Sequence, residues 1–226
     1  MNPRTRVKIC GITRPEDGIA AAALGVDAIG LVFYAKSPRC VSIEQARAIC
    51  DSLPGFVTVV SLFLNPDAEW VDEVLAGVPV DLIQFHGTEP AEFCCDFNRP
   101  YIKALGMKMG LTNQTDRVQI DRVQTDLAQK AALYPDARSL LLDSHGFGEA
   151  GGTGAAFDWN TIPAKLRQRI ILAGGLNPDN IAAAIQSVRP YAVDLSSGVE
   201  SAPGIKDLAR MTQLMNEVHR VDCKTQ

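Results

Sequence analysis

Eight short apolar runs alternate with helix-like segments along this chain of 226 residues. Most of the runs are continuously apolar, which is typical of parallel strands that are covered on both faces. Eight strand–helix units favour a closed (β/α)8 barrel over an open sheet, and such barrels typically have about 250 residues. We therefore predict an α/β protein in which residues 1–226 form a single (β/α)8 barrel domain. The runs are Val7–Cys10, Ala28–Phe33, Val57–Leu64, Val80–Phe85, Tyr101–Leu105, Ser139–Asp143, Ile170–Ala173 and Tyr191–Leu195.

Several helix starts are predicted from local patterns. The stretch from Ser42 to Gln45 has the pattern of a capping box, in which each side chain accepts or donates across the first turn. Asn65 and Asn177 each precede a proline, which places an N-cap residue before a proline at the first helical position. The long polar interval Gly106–Arg138 is predicted to be an extended loop with one helix. Two apolar stripes have helical spacing, namely Ile181, Ala184, Ile185 and Val188, and Ile205, Leu208, Met211, Met215 and Val218.

The composition argues against several classes of function. A net charge of −4 and few aromatic residues, 6%, are not the footprint of a nucleic-acid or anionic-membrane surface. No apolar run approaches the roughly 18 residues of a spanning helix. The first residues lead directly into a strand-like run and not into a secretory leader. We therefore predict a cytoplasmic protein without nucleic-acid or membrane partners.

The six cysteines have neither metal-ligand nor disulfide spacing. None stands in a C-x-x-C pair, and the adjacent Cys94 and Cys95 are too close for one. No metal site is predicted. All the cysteines except Cys10 are interpreted as small buried apolar residues.

Cys10 and Asp143 are the candidate reactive pair. Each ends a predicted strand, and active sites of (β/α)8 barrels lie at the C-terminal ends of the strands. A thiol and a carboxyl group can act as base and acid if their pKa values are pushed apart. Lys8 lies on the same strand face as Cys10, so it either lowers the pKa of the thiol or pairs with an inward acid such as Asp194. The residues alone leave both alternatives open.

The loops after the seventh and eighth strands are candidates for a phosphate site. Gly174 and Gly175 let the backbone approach an anion closely, and Ser196, Ser197 and Gly198 offer hydroxyl and N–H donors. This predicts a barrel of the phosphate-binding type.

A glycine-rich loop follows the sixth strand. Gly151–Gly154 is either a lid with backbone donors or a flexible surface loop. Gly146–Gly151 matches G-x-G-x-x-G. It is not expected to bind a dinucleotide, because no helix opens there and no acidic residue ends the next strand.

At these residues the chain resembles the phosphoribosylanthranilate isomerase family of tryptophan biosynthesis. The resemblance runs from about Val7 to the last helix, and its motifs are jointly very specific. The matching stretches are Lys8–Thr13, Gly30–Tyr34, Lys36–Arg39, Gln84–Gly87, Leu141–Asp143, Gly151–Gly154, Phe157–Trp159, Leu172–Leu176 and Val193–Glu200.

The resemblance implies an Amadori rearrangement of N-(5-phosphoribosyl)anthranilate on a barrel without metal or organic cofactor. By this resemblance Cys10 matches the base and Asp143 the acid. Arg39 matches a ligand of the anthranilate carboxylate, and a guanidinium grips such a group with two parallel bonds. Asp194 matches a position near the sugar hydroxyls, and His86 is expected to support the site. The residues matched to substrate and phosphate binding also include Gly154, Gly174, Gly175, Ser196, Ser197 and Gly198.

Other functions on the same barrel make different demands. A sugar-phosphate epimerase needs metal-ligating histidines, and the chain has three His residues. An indole-glycerol-phosphate synthase needs a lysine acid, for which Lys103 is available, but Cys10 does not suit that chemistry. A non-catalytic sugar-phosphate-binding barrel needs no cysteine at position 10. The expected partner is a phosphorylated aminosugar substrate, and the chain is expected to be a monomer or a homodimer.

Overall fold

The computed structural model describes residues 4–107, 117–144 and 158–224. Eight parallel strands follow one another round a closed barrel in chain order, and the eighth pairs with the first. Each predicted apolar run coincides with one strand to within two residues at either end, so the (β/α)8 prediction is confirmed. The strands are β1 (Arg6–Cys10), β2 (Ala28–Val32), β3 (Thr58–Phe63), β4 (Leu82–Phe85), β5 (Tyr101–Gly106), β6 (Ser139–Asp143), β7 (Ile170–Leu172) and β8 (Ala192–Leu195).

Helices form the outer layer, and a small hairpin follows the last barrel strand. The α-helices are α1 (Pro15–Ala23), α2 (Ile43–Asp51), α3 (Ala68–Gly77), α4 (Ala91–Cys95), α5 (Arg117–Ala132), α6 (Ile181–Val188) and α7 (Leu208–Lys224). Short 3-10 helices span Trp159–Thr161, Ala164–Arg169 and Ser197–Val199. The hairpin consists of antiparallel strands β9 (Glu200–Ala202) and β10 (Ile205–Lys206), which lie between β8 and α7.

The predicted helix starts are partly confirmed. The capping box of α2 is present, with the Gln45 N–H donating to Ser42 Oγ at 3.2 Å. Asn65 is not an N-cap, since it has a φ of 47° and α3 is capped by Asp67. Asn177 caps a turn that precedes α6, whose own N-cap is Asn180. In both Asn-Pro pairs the helix begins later than the pattern predicted.

The predictions of the two apolar stripes are confirmed to different degrees. All four predicted residues of α6 are buried. In the last stripe Met211, Met215 and Val218 are buried. Ile205 belongs to β10, and Leu208 is 57% exposed at the start of α7, so the first two positions were wrong. The hairpin sets where the helix begins, and helical spacing alone could not predict it.

The core has two layers that the strands separate. Small and branched side chains fill the barrel interior, whereas a larger cluster packs between the strands and the helices. Side chains alternate between these layers along each strand. In β1, Val7 and Ile9 face the helices, so Lys8 and Cys10 face the interior. The interior cluster comprises Val60, Ile102, Ala104, Leu141, Ile171, Ala173 and Ala192.

A cavity lies at the end of the barrel where the strands begin. Its lining includes Arg6, Thr58, Arg138 and Tyr191 around an apolar interior. The guanidinium of Arg6 stacks over the ring of Tyr191, 4.4 Å from its centroid. This cavity lies at the opposite end from the predicted active site.

The cysteines are all free thiols. Cys10 and Cys94 are buried, but Cys95 and Cys223 are exposed, so the prediction of burial was wrong for those two. In the described part of the chain no helix has the length and apolar character needed to cross a membrane.

Candidate active site

The C-terminal ends of four barrel strands present polar side chains to the barrel mouth. Cys10 ends β1, Asp143 ends β6, Asp194 lies in β8, and His86 follows β4. The alternation within each strand directs these positions inward, because the intervening residues pack in the outer cluster. The fold therefore brings together the predicted base, acid and sugar-contacting residues at one end of the barrel.

Lys8 and Asp194 form a buried ion pair across β1 and β8. Lys8 Nζ donates to Asp194 Oδ2 at 2.9 Å, and the two residues face each other in the strand register. Burial raises the pKa of Asp194, although the charge of Lys8 opposes this shift. The other carboxylate oxygen, Asp194 Oδ1, is buried and has no partner among the described residues. An acceptor is thus left available inside the site.

The thiol of Cys10 lies within the same charge network. Cys10 is 6% exposed, and burial raises its pKa while the charges of Lys8 and Lys206 oppose the rise. The predicted pairing of Lys8 with Asp194 is therefore present, and the charge of Lys8 also opposes the rise in the pKa of the thiol. Gly30 leaves space for the sulfur, because a Cβ at that position would lie 2.8 Å from Sγ.

His86 connects the acid to the barrel wall. Its Nδ1 lies 3.0 Å from Gln84 Nε2, and its Nε2 lies 3.5 Å from Asp143 Oδ2. Gln84 is fully buried, and its contact fixes the ring beside the carboxylate. The charges of Asp143 and His86 both act on Asp194. Contacts and charge interactions therefore link Cys10 to Asp143 through Lys8 and Asp194.

Arg39 is held by a second buried cluster. Its Nε donates to Glu200 Oε1 at 2.8 Å and its Nη2 donates to Glu200 Oε2 at 2.6 Å. Lys206 Nζ also donates to Glu200 Oε1, at 2.6 Å. Burial opposes the ionisation of Glu200, but Arg39 and Lys206 hold the pKa of this carboxyl group below its usual value. Neither Glu200 nor Lys206 was predicted to belong to the site.

The two predicted phosphate loops contact each other. Gly174 and Gly175 have φ values of 81° and 65°, which glycine adopts without strain. Their N–H groups have no backbone acceptor in the described part of the chain. Gly198 packs against the carbonyl of Leu176, where a Cβ would collide. Ser196 Oγ is buried without a partner among the described residues, and Ser197 is exposed.

Two residues considered in the sequence are not part of the described site. Gly154, with the rest of 145–157, falls outside the described residues. Lys103 faces the outer layer and not the barrel mouth, since Ile102 and Ala104 on either side of it pack in the interior. Its ammonium group donates to Glu89 Oε2 at 2.8 Å. Within residues 4–107, 117–144 and 158–224, no three His, Cys, Asp or Glu side chains are grouped to hold a metal ion.

A family model of N-(5'-phosphoribosyl)anthranilate isomerase matches residues 7–217. The chain belongs to this family. The N-(5'-phosphoribosyl)anthranilate isomerase of Pseudomonas aeruginosa is 53% identical over 216 residues, which cover 96% of each chain. That of Pseudomonas fluorescens is 54% identical over 218 residues, covering 96% of this chain and 97% of the relative.

Solved structures of the family agree with the fold. The crystal structure of phosphoribosylanthranilate isomerase from Thermotoga maritima superposes with a TM-score of 0.78 at 37% identity, covering 96% of this chain and 99% of that one. A phosphoribosylanthranilate isomerase in complex with reduced 1-(o-carboxyphenylamino)-1-deoxyribulose 5-phosphate has a TM-score of 0.73 at 35% identity and the same coverage. As a member of the phosphoribosylanthranilate isomerase family, the chain is an isomerase of tryptophan biosynthesis.

Proposed function

We propose that the chain converts N-(5-phosphoribosyl)anthranilate into 1-(2-carboxyphenylamino)-1-deoxyribulose 5-phosphate by general acid–base catalysis at Cys10 and Asp143. The convergence of both residues at the barrel mouth, joined through Lys8 and Asp194, is the observation that supports this proposal most. The reaction needs no oxidant or reductant, because it is an internal shift of hydrogen.

The chemistry is a series of proton transfers. Asp143 donates a proton to the ring oxygen of the ribose, the bond from C1 to that oxygen breaks, and the nitrogen lone pair forms a Schiff base at C1. Cys10 then removes the proton from C2, and the electron pair of that C–H bond forms an enolamine. Transfer of the hydroxyl proton at C2 to C1 yields the ketone. The proton taken up by Cys10 then returns to the Asp143 carboxylate through solvent, so the sum is an isomerisation in which no atom is gained or lost.

The remaining polar groups orient the substrate. The loops at Gly174–Gly175 and Ser196–Gly198 are proposed to hold the phosphate with backbone N–H groups. Gly154 is proposed to add a further contact. Asp194 Oδ1, buried and without a partner in the described residues, is the proposed acceptor for a sugar hydroxyl. Arg39 is proposed to bind the anthranilate carboxylate.

His86 is proposed to hold the acid and not to react itself. Its ring lies between Gln84 and Asp143, so it restrains the orientation of the carboxyl group. Asp143, and not His86, is therefore the proposed donor of the proton to the ring oxygen.

Turnover can be followed by the loss of fluorescence of freshly prepared phosphoribosylanthranilate. Cys10→Ala and Asp143→Asn are each expected to lower kcat by at least about a hundredfold, the contribution typical of a positioned acid or base. Lys130→Met, a change in an exposed pair with Asp126, serves as the control and should retain wild-type turnover. A folded Cys10→Ala protein with full turnover would refute the assignment.

The same assay separates this function from a sugar-phosphate-binding barrel. A binding protein retains affinity for the substrate but shows no turnover in any variant. The position of Lys103 in the outer layer disfavours a synthase that uses a lysine acid at the barrel mouth.

We propose that the chain acts in the cytoplasm as a homodimer, with the monomer as the alternative. Six free thiols suit a reducing compartment.

Phe56 is fully exposed and lies two residues before Thr58, which lines the cavity at the start of the strands. In a twofold dimer each copy can cover the aromatic side chain of the other. Light scattering should give a dimer that Phe56→Glu dissociates. A wild-type monomer would rule this assembly out.

A further inference from the structure

The hairpin after β8 carries a buried lysine. Lys206 is 4% exposed, and its ammonium group donates to three acceptors. These are the carbonyl of Cys10 at 2.6 Å, the carbonyl of Ser196 at 3.3 Å and Glu200 Oε1 at 2.6 Å. Its backbone N–H donates to Asp17 Oδ2 at 3.0 Å, which fixes the hairpin to α1. Lys206 therefore joins the end of β1 to the loop that follows β8.

Glu200 binds one edge of the Arg39 guanidinium, and no residue that the structure describes accepts a hydrogen bond from the other edge. The two bonds to Glu200 use Nε and Nη2 of the guanidinium, and Nη1 has no acceptor among the described residues. The side chain of Arg39 packs over Gly11, next to Cys10, at a position that any Cβ on Gly11 would occupy. A carboxylate at the barrel mouth can thus approach the free edge without displacing Glu200.

The cluster has a net charge of +1. Arg39 and Lys206 contribute two positive charges and Glu200 one negative charge. Without Lys206, the pair of Arg39 and Glu200 would be neutral. The surplus positive charge lies against Cys10, whose carbonyl is only 2.6 Å from the Lys206 ammonium.

The charged groups that act on the Cys10 thiol come from four separate parts of the chain. Lys8 in β1, Lys206 in β10 and Arg39 after β2 stabilise a thiolate, whereas Asp194 in β8 opposes it. Because Lys8 is already paired with Asp194, that pair contributes little net charge. The cluster at Glu200 therefore supplies the uncompensated positive charge beside the sulfur.

We propose that Glu200 and Lys206 are positioning residues, in which Glu200 orients Arg39 toward the substrate carboxylate and Lys206 keeps the cluster positive beside the Cys10 thiol. This inference rests on the proposed function for the roles of Cys10 and Arg39. Neither residue touches the reacting atoms, and both act through others.

The test compares two variants that change the cluster charge in opposite directions. Lys206→Met makes the cluster neutral, and Glu200→Gln raises its charge to +2. The rate of Cys10 alkylation by iodoacetamide is measured between pH 6 and pH 10, by mass spectrometry of the Cys10 peptide. Lys103→Met, which breaks a buried Lys–Glu pair away from Cys10, is the matched control.

Lys206→Met is expected to raise the apparent pKa of Cys10 by about one unit, which lowers the alkylation rate at pH 7 roughly tenfold. Glu200→Gln is expected to lower that pKa and to raise KM roughly tenfold with kcat largely retained, because Arg39 loses its partner. Lys206→Arg should restore the wild-type alkylation profile. Shifts of the same sign in both variants, or shifts no larger than that of Lys103→Met, overturn the inference.

The experiment remains decisive if one variant does not fold or if the proposed function is wrong. If Lys206→Met is unfolded, Glu200→Gln alone must lower the apparent pKa, and any other direction overturns the proposal. Alkylation requires no turnover. If both variants show the expected shifts in the Cys10 pKa but the wild-type chain does not consume phosphoribosylanthranilate, the proposed function alone is overturned. If the wild-type chain turns over the substrate and Cys10→Ala does not, but the two variants lack the expected shifts in the Cys10 pKa, the inference alone is overturned.

Discussion

The buried pair of Lys103 and Glu89 offers a direct test of how this barrel is stabilised. Lys103 Nζ donates to Glu89 Oε2 at 2.8 Å, to the carbonyl of Gly87 at 2.6 Å and to the carbonyl of Phe85 at 3.4 Å. Glu89 in turn accepts from the N–H groups of Asn65 and Gly87. Both side chains are almost fully buried, so the two opposite charges compensate each other across this contact.

Lys103→Met should destabilise the protein strongly. Removing one partner leaves the carboxylate of Glu89 buried without a cation, which costs about 3–5 kcal/mol of the free energy of unfolding. For a chain of this length each kcal/mol corresponds to about 2–4 °C, so Tm should fall by about 6–20 °C. Lys130→Met is the control. It breaks the exposed pair with Asp126, and its cost should be about 0.5 kcal/mol or less.

Urea unfolding and thermal melts at pH 7 provide the measurement. Adding Glu89→Gln to Lys103→Met should recover about 1–3 kcal/mol, because the unpaired buried charge is removed while an oxygen acceptor remains. At 25 °C the folded fraction of Lys103→Met should keep kcat/KM within about twofold of wild type, since the lysine faces away from the mouth where barrels place their chemistry. Equal losses of stability for Lys103→Met and Lys130→Met would refute the reasoning.

Three further outcomes are expected. Gly30→Ala should lower kcat/KM while the fold persists, because its Cβ would lie 2.8 Å from Sγ of Cys10; Gly55→Ala, with nothing within 4 Å, should be silent. Since burial raises the pKa of the Cys10 thiol, the rate of Cys10 alkylation by iodoacetamide should rise with pH from 7 toward 9 by about tenfold per unit, and a flat profile would contradict that raised pKa. Burial raises the pKa of the Cys94 thiol from 9.0 to about 12. The folded state thus loses stability as pH rises above 9, by about 1 kcal/mol at pH 10, and urea melts of Cys94→Ala should lack that loss.

The eight strands could be predicted because each is buried on both faces. Burial on both faces produces a continuous apolar run such as Val57–Leu64, and turn residues mark its ends. Parallel strands in a closed barrel then place all their C-terminal residues at one end. That geometry predicted that Cys10 and Asp143 would lie at the same end, although they are far apart in sequence.

Local patterns were less reliable where tertiary contacts decide. Asn65 precedes a proline, as an N-cap does, but its Oδ1 accepts from the N–H of Thr88 at 2.7 Å and connects two loops. The helix is therefore capped two residues later by Asp67, whose side chain is not engaged elsewhere in the described structure. A side-chain oxygen can accept from only a few donors, and Asn65 Oδ1 accepts from the distant Thr88 instead of capping the helix.

The cluster around Arg39 shows which part of a site the sequence alone does not specify. The location of Arg39 at the barrel mouth could be predicted, because Arg39 follows β2 and the C-terminal ends of barrel strands lie at the mouth. Its partner Glu200 is 161 positions away and is presented by a hairpin that the alternation of strands and helices does not predict. Lys206 lies opposite Glu200 in that hairpin, so the three charges meet only when the hairpin folds against β1. The charges on the reacting residues therefore depend on an element outside the eightfold repeat. Changes in this hairpin should alter substrate affinity and the reactivity of Cys10 before they alter the stability of the barrel.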